Sequence, residues 1–116
     1  MRRDDAYLLD MLIAAQKARA FVEGMTWEDF TRSELHQNAV MRPLEIIGEA
    51  AARISQETRD AHPEIPWAQI IGMRNRLAHE YFRVNLSVVW QTLQRDLVEL
   101  SALLEPLVPP EDRLEA

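Results

Sequence analysis

The stretch Pro66-Trp67-Ala68-Gln69-Ile70-Ile71-Gly72-Met73-Arg74-Asn75-Arg76-Leu77-Ala78-His79-Glu80-Tyr81-Phe82 holds the side chains best suited to chemistry. Advancing about 100° per residue from Trp67 along a helix, Ile70, Ile71, Ala78 and Tyr81 fall within about 60° of it and Arg74 about 20° away. Arg74 therefore lies in the middle of an apolar face, whereas Arg76 comes out opposite as a surface charge. A guanidinium cannot lose its proton at ordinary pH, so among Trp, Ile and Ala it needs either a carboxylate partner or a wet cleft. Glu45 or Glu49 of the preceding helix could be that partner; an anionic ligand in a cleft would serve equally, and the wheel leaves both open.

His79 follows five residues later, about 140° around an ideal helix from Arg74. The two can face one spot only if the helix loosens there or a second subunit completes the site. Asn75 is better aligned with His79, at i to i+4, and could orient it. If the chain leaves the helix near His79 and extends, His79 and Tyr81 share a side. An Arg and a His facing a phosphodiester suffice for RNA cleavage by internal transesterification. With an unperturbed pKa of ~6.5, His can accept the proton of a ribose 2′-OH or donate one to the leaving 5′-oxygen. The Arg fork neutralises charge developing on the phosphoryl oxygens. DNA, which lacks the 2′-OH, would be immune.

Other constellations carry less. His36 and His62 sit in different elements from His79 with no ligand spacing around them, so no metal site is expected. Glu45 and Glu49 lie four apart, opposite the core stripe of their helix, with Arg42 and Arg53 flanking them as on a solvated face; Glu49 could orient Arg74 if it reached across a helix contact. The small-residue run Gly48-Glu49-Ala50-Ala51-Ala52 suits close helix approach. Trp27, Trp67 and Trp90 are not spaced as a base-stacking platform and read as core or seam residues.

The elements that must position these groups are helical. The chain has 116 residues, 47% hydrophobic, with three Gly and no Cys, which removes disulfides, iron–sulfur clusters and thiolate zinc sites. Apolar residues recur at three and four, with no convincing period of two. One helix is expected over about 5–23, with Leu8, Leu9, Leu12, Ala15 and Arg19 or Ala20 inward and Gly24 ending it. Thr26 to Asp29 reads as a capped turn. A second helix over about 33–56 carries Val40, Leu44, Ile47, Ala51 and Ile54, with Pro43 predicting a kink or a late start. Residues 58–66 read as a loop with one helical turn. A third helix runs from Pro66 or Trp67 to about His79. A fourth starts at Val84-Asn85 with Asn85 as its cap, buries Val89, Leu93, Leu97, Leu100, Leu104 and Leu107, and is closed by Pro106, Pro109 and Pro110. Four amphipathic helices predict an all-α, up-and-down four-helix bundle with a short extra turn or two. One domain over 1–116 is expected, its core about 4–108 and an acidic tail at 109–116.

The net charge is −6. Asp96, Glu99, Glu105, Glu111, Asp112 and Glu115 against Arg113 put −5 of this on residues 96–116, leaving the first 95 nearly neutral. Tight nonspecific nucleic-acid binding is disfavoured, although Arg74, Arg76 and Arg83 face only Glu80 between 71 and 83. With no apolar run near ~18 residues and no signal-peptide pattern, no membrane association and a cytoplasmic location are expected.

The run Arg74-Asn75-Arg76-Leu77-Ala78-His79-Glu80-Tyr81 resembles the Arg-x4-His-x-Tyr signature of HepT-like HEPN-domain toxins, and Asn75 matches the polar residue common after the Arg in HEPN ribonucleases. Asn38-Ala39-Val40-Met41-Arg42-Pro43-Leu44-Glu45-Ile46-Ile47-Gly48-Glu49-Ala50 resembles the second-helix signature of the same family, and Ile65-Pro66-Trp67 leading into Gly72-Met73-Arg74 its third-helix approach. The resemblance covers about residues 4–108. It implies a HEPN-like bundle and a metal-independent endoribonuclease, the toxin of a type VII toxin–antitoxin pair, with Arg74 and His79 catalytic and no cofactor. It further implies a homodimer whose motifs meet in one cleft, RNA and not DNA as substrate, and a minimal nucleotidyltransferase antitoxin that transfers AMP from ATP onto the motif tyrosine, by position Tyr81. Phosphates added there would fill the site with anion and block RNA. The alternative within the same resemblance is a noncatalytic helical partner of a nucleotidyltransferase, in which Tyr81 and the arginines form a docking or nucleotide-contact surface.

Overall fold

A computed structural model describes residues 2–79 and 85–109, including their side chains except those of residues 2, 78 and 79. Helix α1 spans Arg2–Phe21, α2 Trp27–Thr31, α3 Glu34–Arg53, α4 Gln56–Ala61, α5 Trp67–His79, α6 Leu86–Gln91 and α7 Leu97–Leu104. A π-helical segment, Thr92–Asp96, joins α6 to α7, and a 3-10 turn, Glu105–Leu107, follows. The architecture is an all-α helical bundle, with no strand among the described residues. Tyr81 and most of the acidic tail lie outside the described residues.

Local chemistry sets the boundaries. Gly24 at φ +77° follows the end of α1, a conformation that disfavours a Cβ. Thr26 and Asp29 form a reciprocal capping box that starts α2. Ser33 caps α3, Ser55 caps α4 and Asn85 caps α6, each accepting a backbone N–H through its side-chain oxygen. Arg59 of α4 turns back to donate to the carbonyls of Ile54 (3.1 Å) and Ala52 (2.9 Å), occupying acceptors left over at the end of α3. The helical turn expected within 58–66 is present as α4, which starts earlier, at Gln56. Pro43 does not delay α3, which runs unbroken from Glu34 with the ring buried.

The α3 stripe Val40, Leu44, Ile47, Ala51 and Ile54 is fully buried, as its spacing predicts. The other two stripes differ from expectation. In α1 the inward line is Leu8, Met11, Leu12, Ala15, Ala18 and Val22, with Arg19 and Ala20 exposed. It begins at buried Asp4, which accepts from the Ser55 N–H (3.0 Å), the Ser55 hydroxyl (2.6 Å) and the Thr58 hydroxyl (2.5 Å). These bonds, the Ser55 hydroxyl first and the Thr58 hydroxyl next, hold the Asp4 carboxyl below the ordinary carboxyl pKa against the opposing effect of desolvation. They also tie the start of α1 to the α3–α4 junction, so α1 and α3 run antiparallel.

On the fourth helical stretch the buried line is Val89, Leu93, Leu97, Leu100, Leu104 and Val108, with Leu107 only partly buried. From Val89 to Leu104 the buried residues are those expected, and the line passes from Leu107 to Val108 only after the 3-10 turn, where the chain becomes extended. Within the helical stretch the π segment widens one turn, with the Thr92 hydroxyl donating to the Val88 carbonyl at 2.9 Å. Helix α3 packs between α1 and α5, and α7 packs on α1. Between α5 and the π–α7 stretch lies an open groove of about 750 Å³.

Candidate nucleic-acid site at the α3–α5 seam

Among the described side chains of α5, Trp67, Ile70 and Leu77 are buried, spaced so that Arg74 falls on the same inward line. Trp67 is fixed by its indole N–H, which donates to the His62 carbonyl at 3.0 Å. Ile71, Met73 and Arg74 are half-buried, while Asn75 and Arg76 are exposed. The inward arginine is thus real, and Arg76 is the surface charge the wheel predicts.

What admits Arg74 is the facing residue of α3. A Cβ built on Gly48 would overlap the Arg74 Cβ and lie 2.7 Å from its Cγ and 3.2 Å from its Cα. The arginine stem therefore crosses α3 where the side chain is missing. Its guanidinium emerges at the edge of the seam, where Nη1 donates to Asn75 Oδ1 at 2.9 Å. Among the described residues no carboxylate forms an ion pair with Arg74. Glu49 instead meets Arg42 at 3.3 Å, and Arg42 also lies 3.8 Å from Glu45. These acids are partnered on their own helix and do not reach Arg74.

Asn75 Oδ1 therefore holds the arginine head, while the imidazole its i to i+4 spacing suggests lies outside the described side chains. His79 is the last residue of α5. Because the helix persists to that point, its register keeps His79 about 140° from Arg74 around the axis. Tyr81, with Glu80 and Arg83, lies outside the described residues. The other two histidines are engaged locally: His36 Nδ1 is 2.6 Å from the Ser33 hydroxyl and His62 Nδ1 is 3.4 Å from Glu64. Among the described residues no group of three His, Cys, Asp or Glu is placed to hold a metal. Trp90 is half-buried, with its ring 5.2 Å from Phe30 and 6.3 Å from Trp27, and Trp27 remains exposed, so the seam reading fits Trp67 and Trp90 better than Trp27. No helix among the described residues is long and apolar enough to cross a membrane.

Comparison with known proteins places these features in context. Residues 11–107 match the family described as ribonuclease HepT-like. The chain is 40% identical over 101 residues to the "Probable ribonuclease HepT" of Thermococcus cleftensis, an alignment covering 87% of this chain and 92% of that protein. It is 35% identical over 111 residues to "Putative RNase TTE0752" of Caldanaerobacter subterraneus subsp. tengcongensis, covering 96% of this chain and 99% of that one. No solved structure gives a significant match.

Proposed function

The chain belongs to the HepT-like ribonuclease family, and from that premise we propose that it is a metal-independent endoribonuclease, the toxin of a toxin–antitoxin pair. Support comes above all from Arg74, a half-buried residue whose stem crosses Gly48 and whose guanidinium is held by Asn75 rather than by a carboxylate of the described residues. In this reading Arg74 grips the non-bridging oxygens of the scissile phosphate. The 2′-oxygen attacks phosphorus as its proton leaves, and the bond to the 5′-oxygen breaks as that oxygen gains a proton. His79 handles one of these two proton transfers. The products are a 2′,3′-cyclic phosphate and a 5′-hydroxyl, with no water or metal consumed.

Two protomers pair so that Arg74 and His79, separated around α5 within one chain, meet across the cleft. Glu49 pairs with Arg42 on its own helix and does not touch Arg74, so any support it gives the site in this reading acts through α3. The antitoxin is a minimal nucleotidyltransferase that transfers AMP to the Tyr81 hydroxyl with loss of pyrophosphate. The added phosphates compete with RNA for the same arginine.

The test is a digest of RNA by the purified chain in EDTA. Cleavage leaving cyclic phosphate ends is expected, lost in folded Arg74→Ala and His79→Ala variants and absent on an all-deoxy strand of the same sequence. A chain that never cuts yet binds the nucleotidyltransferase stably would instead be the noncatalytic partner.

A further inference from the structure

A bundle of four helical stretches has four lateral seams. Here α1–α3, α3–α5 and α1–α7 are packed, and the fourth is the groove between α5 and the π–α7 stretch. Its floor is apolar, formed by Ile47, Ile70, Met73, Leu97, Leu100 and Leu103. Its rim carries Glu64, Asp96 and Glu99 against Arg76. Gly72 also lines it, and nothing stands within 4 Å of the position its Cβ would take. A glycine inside a helix is less favourable than alanine by about 1 kcal/mol. At Gly48 the arginine stem explains that cost; at Gly72 nothing in the described part of the chain does.

We propose that this groove receives a basic amphipathic helix from a partner polypeptide, whose backbone passes close to α5 at Gly72. Two helical walls over an apolar floor suit the apolar face of a third helix, and a bare glycine lets backbones approach. The rim supplies the sign. Three carboxylates against one guanidinium favour Lys or Arg flanking the apolar face and oppose the phosphates of RNA. A second copy of this chain is disfavoured by the same charges, because a two-fold axis through the groove would set each acidic rim against its mate. The groove and Asn75 lie on opposite flanks of α5, so the inference stands apart from the ribonuclease reading.

Two dye-labelled peptides of about 18 residues, or five helical turns, test it: one an amphipathic Leu/Lys sequence, the other the same pattern with Glu for Lys. Fluorescence anisotropy against the full chain should show the Leu/Lys peptide binding at least about tenfold more tightly than the Leu/Glu peptide. Gly72→Leu should weaken it by about tenfold or more while raising the chain's own Tm, since the side chain enters open space and favours helix. The double variant Asp96→Lys/Glu99→Lys should reverse the peptide preference. Unchanged binding by Gly72→Leu, or no preference between the peptides, overturns the proposal. So does a wild-type dimer that Gly72→Leu dissociates in sedimentation, which assigns the groove to a second copy, or displacement of the peptide by an RNA oligonucleotide.

Discussion

Gly48 and Arg74 share one volume, and the arginine stem occupies what any other residue on α3 would fill with its own Cβ. Adding that carbon in Gly48→Ala forces α5 away from α3 or turns the stem out of line, at a cost of about 1–3 kcal/mol. The expected outcome is a lower Tm and a loss of RNA cleavage at temperatures where circular dichroism still reports a folded helical chain. Full cleavage by Gly48→Ala would separate activity from the placement of Arg74. The sequence wheel places the arginine inward because Trp67, Ile70 and Arg74 lie within one chain segment. It cannot reveal that Gly48 is the counterpart, because that match depends on how two helices align. The small-residue run at 48–52 signals a close approach without saying to what.

At the scale of elements, legibility follows how sharply polar and apolar residues alternate. The α3 stripe has Arg42, Glu45 and Glu49 against it and is unambiguous. In α1, alanines at 14, 15, 18 and 20 fit several faces, so the inward line is decided only when Asp4 is seen to be buried. A buried aspartate contradicts the usual rule and becomes intelligible only with Ser55 and Thr58, which are distant in sequence. The same contact makes the α1–α3 pairing pH-dependent. Because the folded carboxyl pKa is lowered, its contribution is complete above the ordinary carboxyl value and disappears as pH falls through the lowered one. Asp4→Ala should cost about 1–2 kcal/mol near neutrality. Urea unfolding of the two proteins should converge at acid pH; a gap independent of pH would mean that packing, not the charge, is what Asp4 supplies.

At the scale of the whole molecule, the separation of Arg74 and His79 around α5 makes a strong demand of the proposed dimer. If each active site takes its arginine from one protomer and its histidine from the other, inactive Arg74→Ala and inactive His79→Ala proteins should rescue each other. After subunit exchange of an equal mixture, half the dimers are mixed and each has one complete site, so about a quarter of wild-type cleavage returns. No recovery would place both groups of a site in one chain. The π segment carries a consequence for chain length. It holds a surplus residue that the bundle tolerates by widening one turn, so excision of Gln94 should convert that turn to regular α-helix and leave Val89 and Leu104 both facing inward. The same excision at Ala102 lies where no slack is stored, and should rotate neighbouring leucines by about 100° out of the core. Comparing the melting of the two shortened chains would show the first retaining most of its stability and the second losing it, marking 92–96 as the place where this helix can change length without changing its partners.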